Sequence, residues 1–204
     1  MMKYIAKEGY FSIGLIVFLI IFFWILNSFS FVLFLALLIF LFIFRNPNRI
    51  LICHDKKAIL SPIDGQIIQI ENTFRKDFGE CIEISIANSF CNAGSFYAPF
   101  EMNIDEVKYR YGLFIDKGFQ NLNFLKEKIS INAVSNSSKI ILEIYAGNLG
   151  RKLRLDNISH GLKVGDRLGF LIDGKIKLVL PKNIRIQAGL GDEIKSGSLL
   201  GYLI

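Results

Sequence analysis

Between Phe11 and Phe44 the chain carries no charged residue, and Phe, Leu and Ile fill most positions. At about 1.5 Å per residue this stretch would make roughly 50 Å of helix, well beyond a hydrocarbon core of roughly 30 Å. Polar residues interrupt it at Asn27-Ser28-Phe29-Ser30, so the pattern predicts two apolar helices, about 11–26 and 30–44. Each arm is short for a full span. A transmembrane helical hairpin is the expected arrangement, with one tilted helix or a re-entrant loop as the alternatives. After Arg45 the texture changes to short, often β-branched runs: GQIIQIE (65–71), CIEISIA (81–87), KIILEIYA (139–146), KIKLVL (175–180) and NIRIQA (183–188). Their length and content predict strands. Asp64-Gly65, Asp173-Gly174 and Gly191-Asp192 punctuate them as turns. Residues 113–137 are less regular. The expected fold is a membrane anchor on residues 1–50, followed by a mainly β, sandwich-like domain on residues 51–204.

Composition sharpens this picture in two ways. Hydrophobic residues make up 52% of the 204-residue chain, and the mean hydropathy is +0.42, too apolar for an ordinary soluble domain. The excess lies in the first segment, which is far longer than the 7–15-residue core of a secretion signal and lacks a small-residue cleavage site behind it. Lys3 and Lys7 precede the apolar region, and Arg45, Arg49, Lys56 and Lys57 follow it. Basic flanks on both sides place both ends, and the β domain, on the cytoplasmic side of a bacterial-type inner membrane. The net charge of +6 is spread along the chain. It suits an anionic lipid surface and is too diffuse for a nucleic-acid partner.

Cys53, Cys81 and Cys91 form no C-x-x-C pair, and His54 and His160 are the only histidines. No metal-ligand spacing emerges, so neither a metal site nor a disulfide is expected.

A series of motifs runs in order through the chain: IFRNPNRI (43–50), SPIDG (61–65), FYAPFEMNIDE (96–106), AGNLGRK (146–152), VGDRLG (164–169), KIKLVLP (175–181) and GDEIKSG (191–197). Each is weak alone. As an ordered set they resemble the short, membrane-anchored bacterial form of phosphatidylserine decarboxylase. That resemblance implies a proenzyme that cuts itself at a Gly-Ser bond and turns the Ser into a pyruvoyl group. The group would serve as electron sink for converting phosphatidylserine to phosphatidylethanolamine. Self-cleavage would take a Ser nucleophile, a His base and an Asp that orients the His.

Mapped on this sequence, the resemblance places the Asp role on Asp64, which Asp-Gly turn chemistry explains equally well. It places the His role on Asn103, followed by Asp105 and Glu106 where Asn and Arg are usual. Asn cannot take up a hydroxyl proton. The Ser role falls at or beside Gly174, in LGFLIDGKIKLVLP (168–181), a stretch with no Ser, Thr or Cys. His160 is the remaining candidate base downstream, and Gly94-Ser95 and Gly197-Ser198 are the remaining Gly-Ser pairs. The first of these pairs precedes the FYAPF segment, and the second would release only a seven-residue tail.

The expectation is therefore a family member that keeps the β fold but lacks the pyruvoyl cofactor: a non-cleaving pseudoenzyme. Its role would be phospholipid-binding or regulatory, with membrane phospholipid such as phosphatidylserine as partner. A second copy of the chain or a phospholipid-synthesis protein remains open as a further partner. The alternatives are an active decarboxylase with an atypical nucleophile, and a structural membrane protein without lipid recognition.

Overall fold

The computed structural model describes residues 4–26, 30–47, 49, 55, 57–76, 78–112, 126–135, 138–147, 153–156 and 160–203. The interruption at 27–29, Cys53, His54, Lys56 and residues 148–152 of AGNLGRK lie outside them. The chain divides into two compact units, 1–48 and 49–204.

In the first unit a 3-10 turn at Lys7–Gly9 leads into α1 (Tyr10–Ile25), and α2 spans Phe31–Ile43. Lys7–Ile25 is 19 residues, long and apolar enough to cross a bilayer by length and composition, whereas α2 has 13 residues. Both helices are apolar all round and bury no side chain: Phe11, Phe18, Trp24, Phe31 and Val32 are among the most exposed. A soluble bundle would bury one stripe and solvate the other. The segments outside the helices pair antiparallel, with Ala6 N donating to Phe44 O at 2.8 Å and Asn46 N to Tyr4 O at 2.7 Å.

The second unit is built of strands: β1 (Ala58–Leu60), β2 (Gly65–Arg75), β3 (Gly79–Ala87), β4 (Ser95–Tyr97), β5 (Met102–Arg110), β6 (Lys128–Ser135) and β7 (Ser138–Tyr145). These are followed by β8 (Arg154–Leu155), β9 (Gly161–Leu162), β10 (Arg167–Phe170), β11 (Lys175–Pro181), β12 (Ile184–Ile186), β13 (Glu193–Ile194) and β14 (Leu199–Leu203). Eight form one antiparallel sheet in the order β13-β2-β3-β11-β7-β6-β5-β9. Two three-stranded sheets, β1-β14-β12 and β4-β10-β8, complete the unit. The expected runs 65–71, 81–87 and 175–180 lie within β2, β3 and β11, 139–146 passes one residue beyond β7, only Ile184–Ile186 of 183–188 is strand, and the irregular 113–137 region supplies β6 from Lys128 onward.

Alternation along the strands decides which face is buried. On β11, Ile176, Leu178 and Leu180 enter the core, where they meet Ile84 and Ile86 of β3 and Leu142 and Ile144 of β7. Lys175, Lys177 and Val179 project from the other face. That face is partly covered at the β2–β3 hairpin end, where Phe78 packs on a second apolar group of Cys81, Ile141 and Val179. Arg75 reaches from the same hairpin end to Glu83 and Glu143, both buried.

Candidate functional site

CIEISIAN (81–88) sets the parity of β3 and the residue after it. Ile82, Ile84 and Ile86 point inward, and the next inward position is Asn88, only 3% exposed. A buried carboxamide must satisfy two N–H donors and a carbonyl, and here it joins three loops. Asn88 Nδ2 donates to the Asp64 carbonyl at 2.8 Å and to the Ala93 carbonyl at 3.1 Å. Its Oδ1 accepts from Asp173 N at 3.3 Å, and its own backbone N donates to Gly174 O at 2.8 Å. SPIDG, the 88–95 loop and the Leu171–Gly174 connection are thus fastened through one side chain.

Asp64 is buried and doubly held. One carboxylate oxygen accepts from Ser196 N at 2.8 Å and the other is paired with Arg49. The SPIDG loop is fixed further by Ser61 Oγ donating to Ile63 O at 2.8 Å and by Tyr97 N donating to Pro62 O at 2.8 Å. Burial pushes the Tyr97 phenol up, against the Ser95 hydroxyl and the charges of Arg167 and Arg49 and in the same direction as Asp64. Arg49, Asp64, Ser95, Tyr97 and Arg167 therefore share one electrostatic neighbourhood. Arg167 is also paired with Asp156 at 2.7 Å.

The Leu171–Gly174 connection is closed tightly. Asp173 has φ 54°, the only positive φ at a non-glycine among the described residues, and is buried. Asp tolerates this left-handed conformation better than bulkier residues do. At Gly174 a Cβ would stand 2.6 Å from both Leu171 Cδ1 and the Tyr145 carbonyl. A side chain at 174 does not fit this backbone, and the stretch 168–181 offers no hydroxyl or thiol elsewhere. This stretch as it stands holds no side chain that could become a pyruvoyl group.

Asp64 and Gly174 come together, and Asn103 does not join them. Asn103 sits at the exposed start of β5, paired with Val134 and Gly161. In the sheet β5 is three strands from β11. Val134 pairs with Lys139, two residues past the Ile141–Val179 pair, so Asn103 is level with the far end of β11 from Gly174. His160 is its neighbour, exposed, with its carbonyl accepting from Ile104 N at 2.7 Å. Beside the connection stand Gly94, whose carbonyl accepts from Leu171 N at 2.8 Å, and Gly147, where a Cβ would run into the Asp173 carbonyl. Ser95, next to Gly94, is buried and pairs with Phe170. Ser198 occupies a turn, its N and Oγ donating to Lys195 O at 3.0 and 2.5 Å.

The family model described as phosphatidylserine decarboxylase matches residues 36–202. Among similar proteins, the phosphatidylserine decarboxylase proenzyme of Desulfotalea psychrophila is 32% identical over 185 residues, covering 86% of this chain and 84% of the relative. That of Syntrophus aciditrophicus is 26% identical, covering 96% of this chain and 95% of the relative. That of Geotalea uraniireducens is 29% identical over 167 residues, covering 79% and 78%. No solved structure matches the chain.

Proposed function

The chain belongs to the phosphatidylserine decarboxylase family, and from that premise we propose a membrane-anchored member that does not cut itself and engages phospholipid in a binding or regulatory role. One observation carries the reading. The connection at Gly174, where the resemblance puts the self-cleaving Ser, has no nucleophilic side chain in 168–181 and no room for one at 174. Without a ketone on the chain there is no electron sink for decarboxylation.

Phospholipid recognition draws support from the guanidiniums of Arg49 and Arg167 beside the Tyr97 phenol, and from an N-terminal helix apolar enough to enter a bilayer. In this reading the apolar segment anchors the chain in the inner membrane and the β unit faces the cytoplasm.

A second reading, an active decarboxylase with an atypical nucleophile, is favoured by the proenzyme names of the relatives. Full-length protein with phosphatidylserine vesicles separates the two. The proposal expects retention on phosphatidylserine vesicles over phosphatidylcholine vesicles and no phosphatidylethanolamine. Phosphatidylethanolamine formed by the purified protein would establish the second reading.

A further inference from the structure

On the outer face of the eight-stranded sheet, the register sets four residues in one row: Arg110 opposite Lys128, Lys128 opposite Tyr145, and Tyr145 opposite Lys175. Residues directly opposite across antiparallel strands share a face and lie within side-chain reach. The lysine nitrogens of Lys128 and Lys175 both lie over the Tyr145 ring, 5.2 and 5.3 Å from its centroid. Arg110 borders the row and donates to the Lys126 carbonyl at 3.3 Å.

Carboxylates do not balance these cations. Glu143 lies next to the row and accepts from Lys128 at 2.8 Å, from the Tyr145 hydroxyl at 2.7 Å and from Arg75 at 2.7 Å. Glu83 is shared by Arg75 and Lys177. Two carboxylates thus serve a group of cations that also includes Lys126, and among the described residues no carboxylate pairs with Lys175. Burial, together with the like charges of Lys177 and Lys126, holds the Lys175 ammonium below the usual lysine range. A half-buried ammonium crowded by cations is stabilised by an incoming anion.

We infer that the Arg110–Lys128–Lys175 row around Tyr145 is a binding site for a phosphate group, carried by a phospholipid headgroup or free in solution. The guanidinium and the two ammoniums supply charge-assisted donors on one face. The row adjoins the Asp64–Gly174 cluster, because Lys175 follows Gly174 and the Tyr145 carbonyl lies against it, but its side chains stand on the outer face of the sheet and lysine protection tests it separately from chain cleavage.

Site-resolved acylation of the lysines in the full-length, detergent-solubilised protein tests this, with one arm containing inorganic phosphate and another phosphatidylglycerol vesicles. Lys182, exposed and paired with Glu80, is the internal control. The expected result is that Lys175 and Lys128 are acylated at least about tenfold more slowly, the scale of one hydrogen bond to a charged group, while Lys182 is unchanged. Protection by inorganic phosphate identifies the free ion as sufficient, and protection by vesicles alone identifies the headgroup. Lys175→Gln should remove the protection of Lys128. Equal slowing by chloride at matched ionic strength, no slowing in either arm, or full protection of Lys128 in Lys175→Gln would each overturn the assignment.

Discussion

Asn88 Nδ2 reaches the Asp64 carbonyl at 2.8 Å, so the loop that carries the family's acidic position is tied to the end of β3 by a single buried amide. The same amide accepts from Asp173 N, and the Asn88 backbone closes on Gly174 O. The arrangement holds three loops together by hydrogen bonds, and those made by the Asn88 side chain are buried. A buried polar hub of this kind is costly to break, because removing one side chain orphans several partners at once.

Asn88→Ala is therefore expected to destabilise the β unit by about 2–4 kcal/mol, through unpaired groups at Asp64, Ala93 and Asp173. Urea unfolding followed by fluorescence checks it. A loss below about 0.5 kcal/mol, the size of an ordinary surface change, would show that the hub contributes little.

Restoring the family side chains should not restore chemistry. Gly174→Ser places a Cβ 2.6 Å from Leu171 Cδ1 and the Tyr145 carbonyl, so it strains the connection by about 1–3 kcal/mol. Combined with Asn103→His, the imidazole would stand level with the wrong end of β11. We expect the double variant to remain one uncut chain on a denaturing gel, with a lower melting temperature than the parent. Two fragments would show that Asn103 reaches Gly174 after all.

Acid sensitivity should trace to Glu143. Burial alone would raise its carboxyl, but hydrogen bonds from Arg75, Lys128 and Tyr145 outweigh that and hold it at about 2. The folded value lies below the ordinary 4.5, so ionised Glu143 contributes stability that is complete above about 4.5 and is lost as pH falls toward 2. Glu143→Gln should lower stability at neutral pH by leaving Arg75 and Lys128 without this partner, and should flatten the acid limb of the stability profile. An unchanged acid limb would assign the loss to other carboxylates.

Arg49 and Asp64 form a pair in which Asp64 also accepts from Ser196 N. Asp64→Asn keeps the shape and an acceptor for Ser196 but removes the charge facing Arg49. It should weaken retention on phosphatidylserine vesicles less than Arg49→Gln does, if Arg49 contacts headgroups. Vesicle sedimentation compares them, and equal retention of Arg49→Gln and parent would remove Arg49 from lipid recognition.

The β class was legible because alternation is local. In β3 and β11 every second residue is Ile or Leu, and that fixes their inward face whatever else the chain does. Asn88 was missed: the predicted strand stops at Ala87, although Asn88 falls on the inward parity of CIEISIAN, where a polar residue needs partners. The site's other half was not legible either. Asn103 aligns with a motif along the chain, but a register of hydrogen bonds across four strands decides where it stands, and no local pattern encodes that. Gly94 stands out in the sequence only as half of a Gly-Ser pair, and its packing against Leu171 and Phe170 is a long-range contact that no local pattern encodes.

The most direct measurement is the intact mass of the purified full-length chain, with and without a hydroxylamine-type carbonyl reagent. The account predicts one species at 23.2 kDa that gains no mass from the reagent. Two fragments, one with a blocked N-terminus that takes up the reagent, would contradict it and make the chain a self-processing decarboxylase.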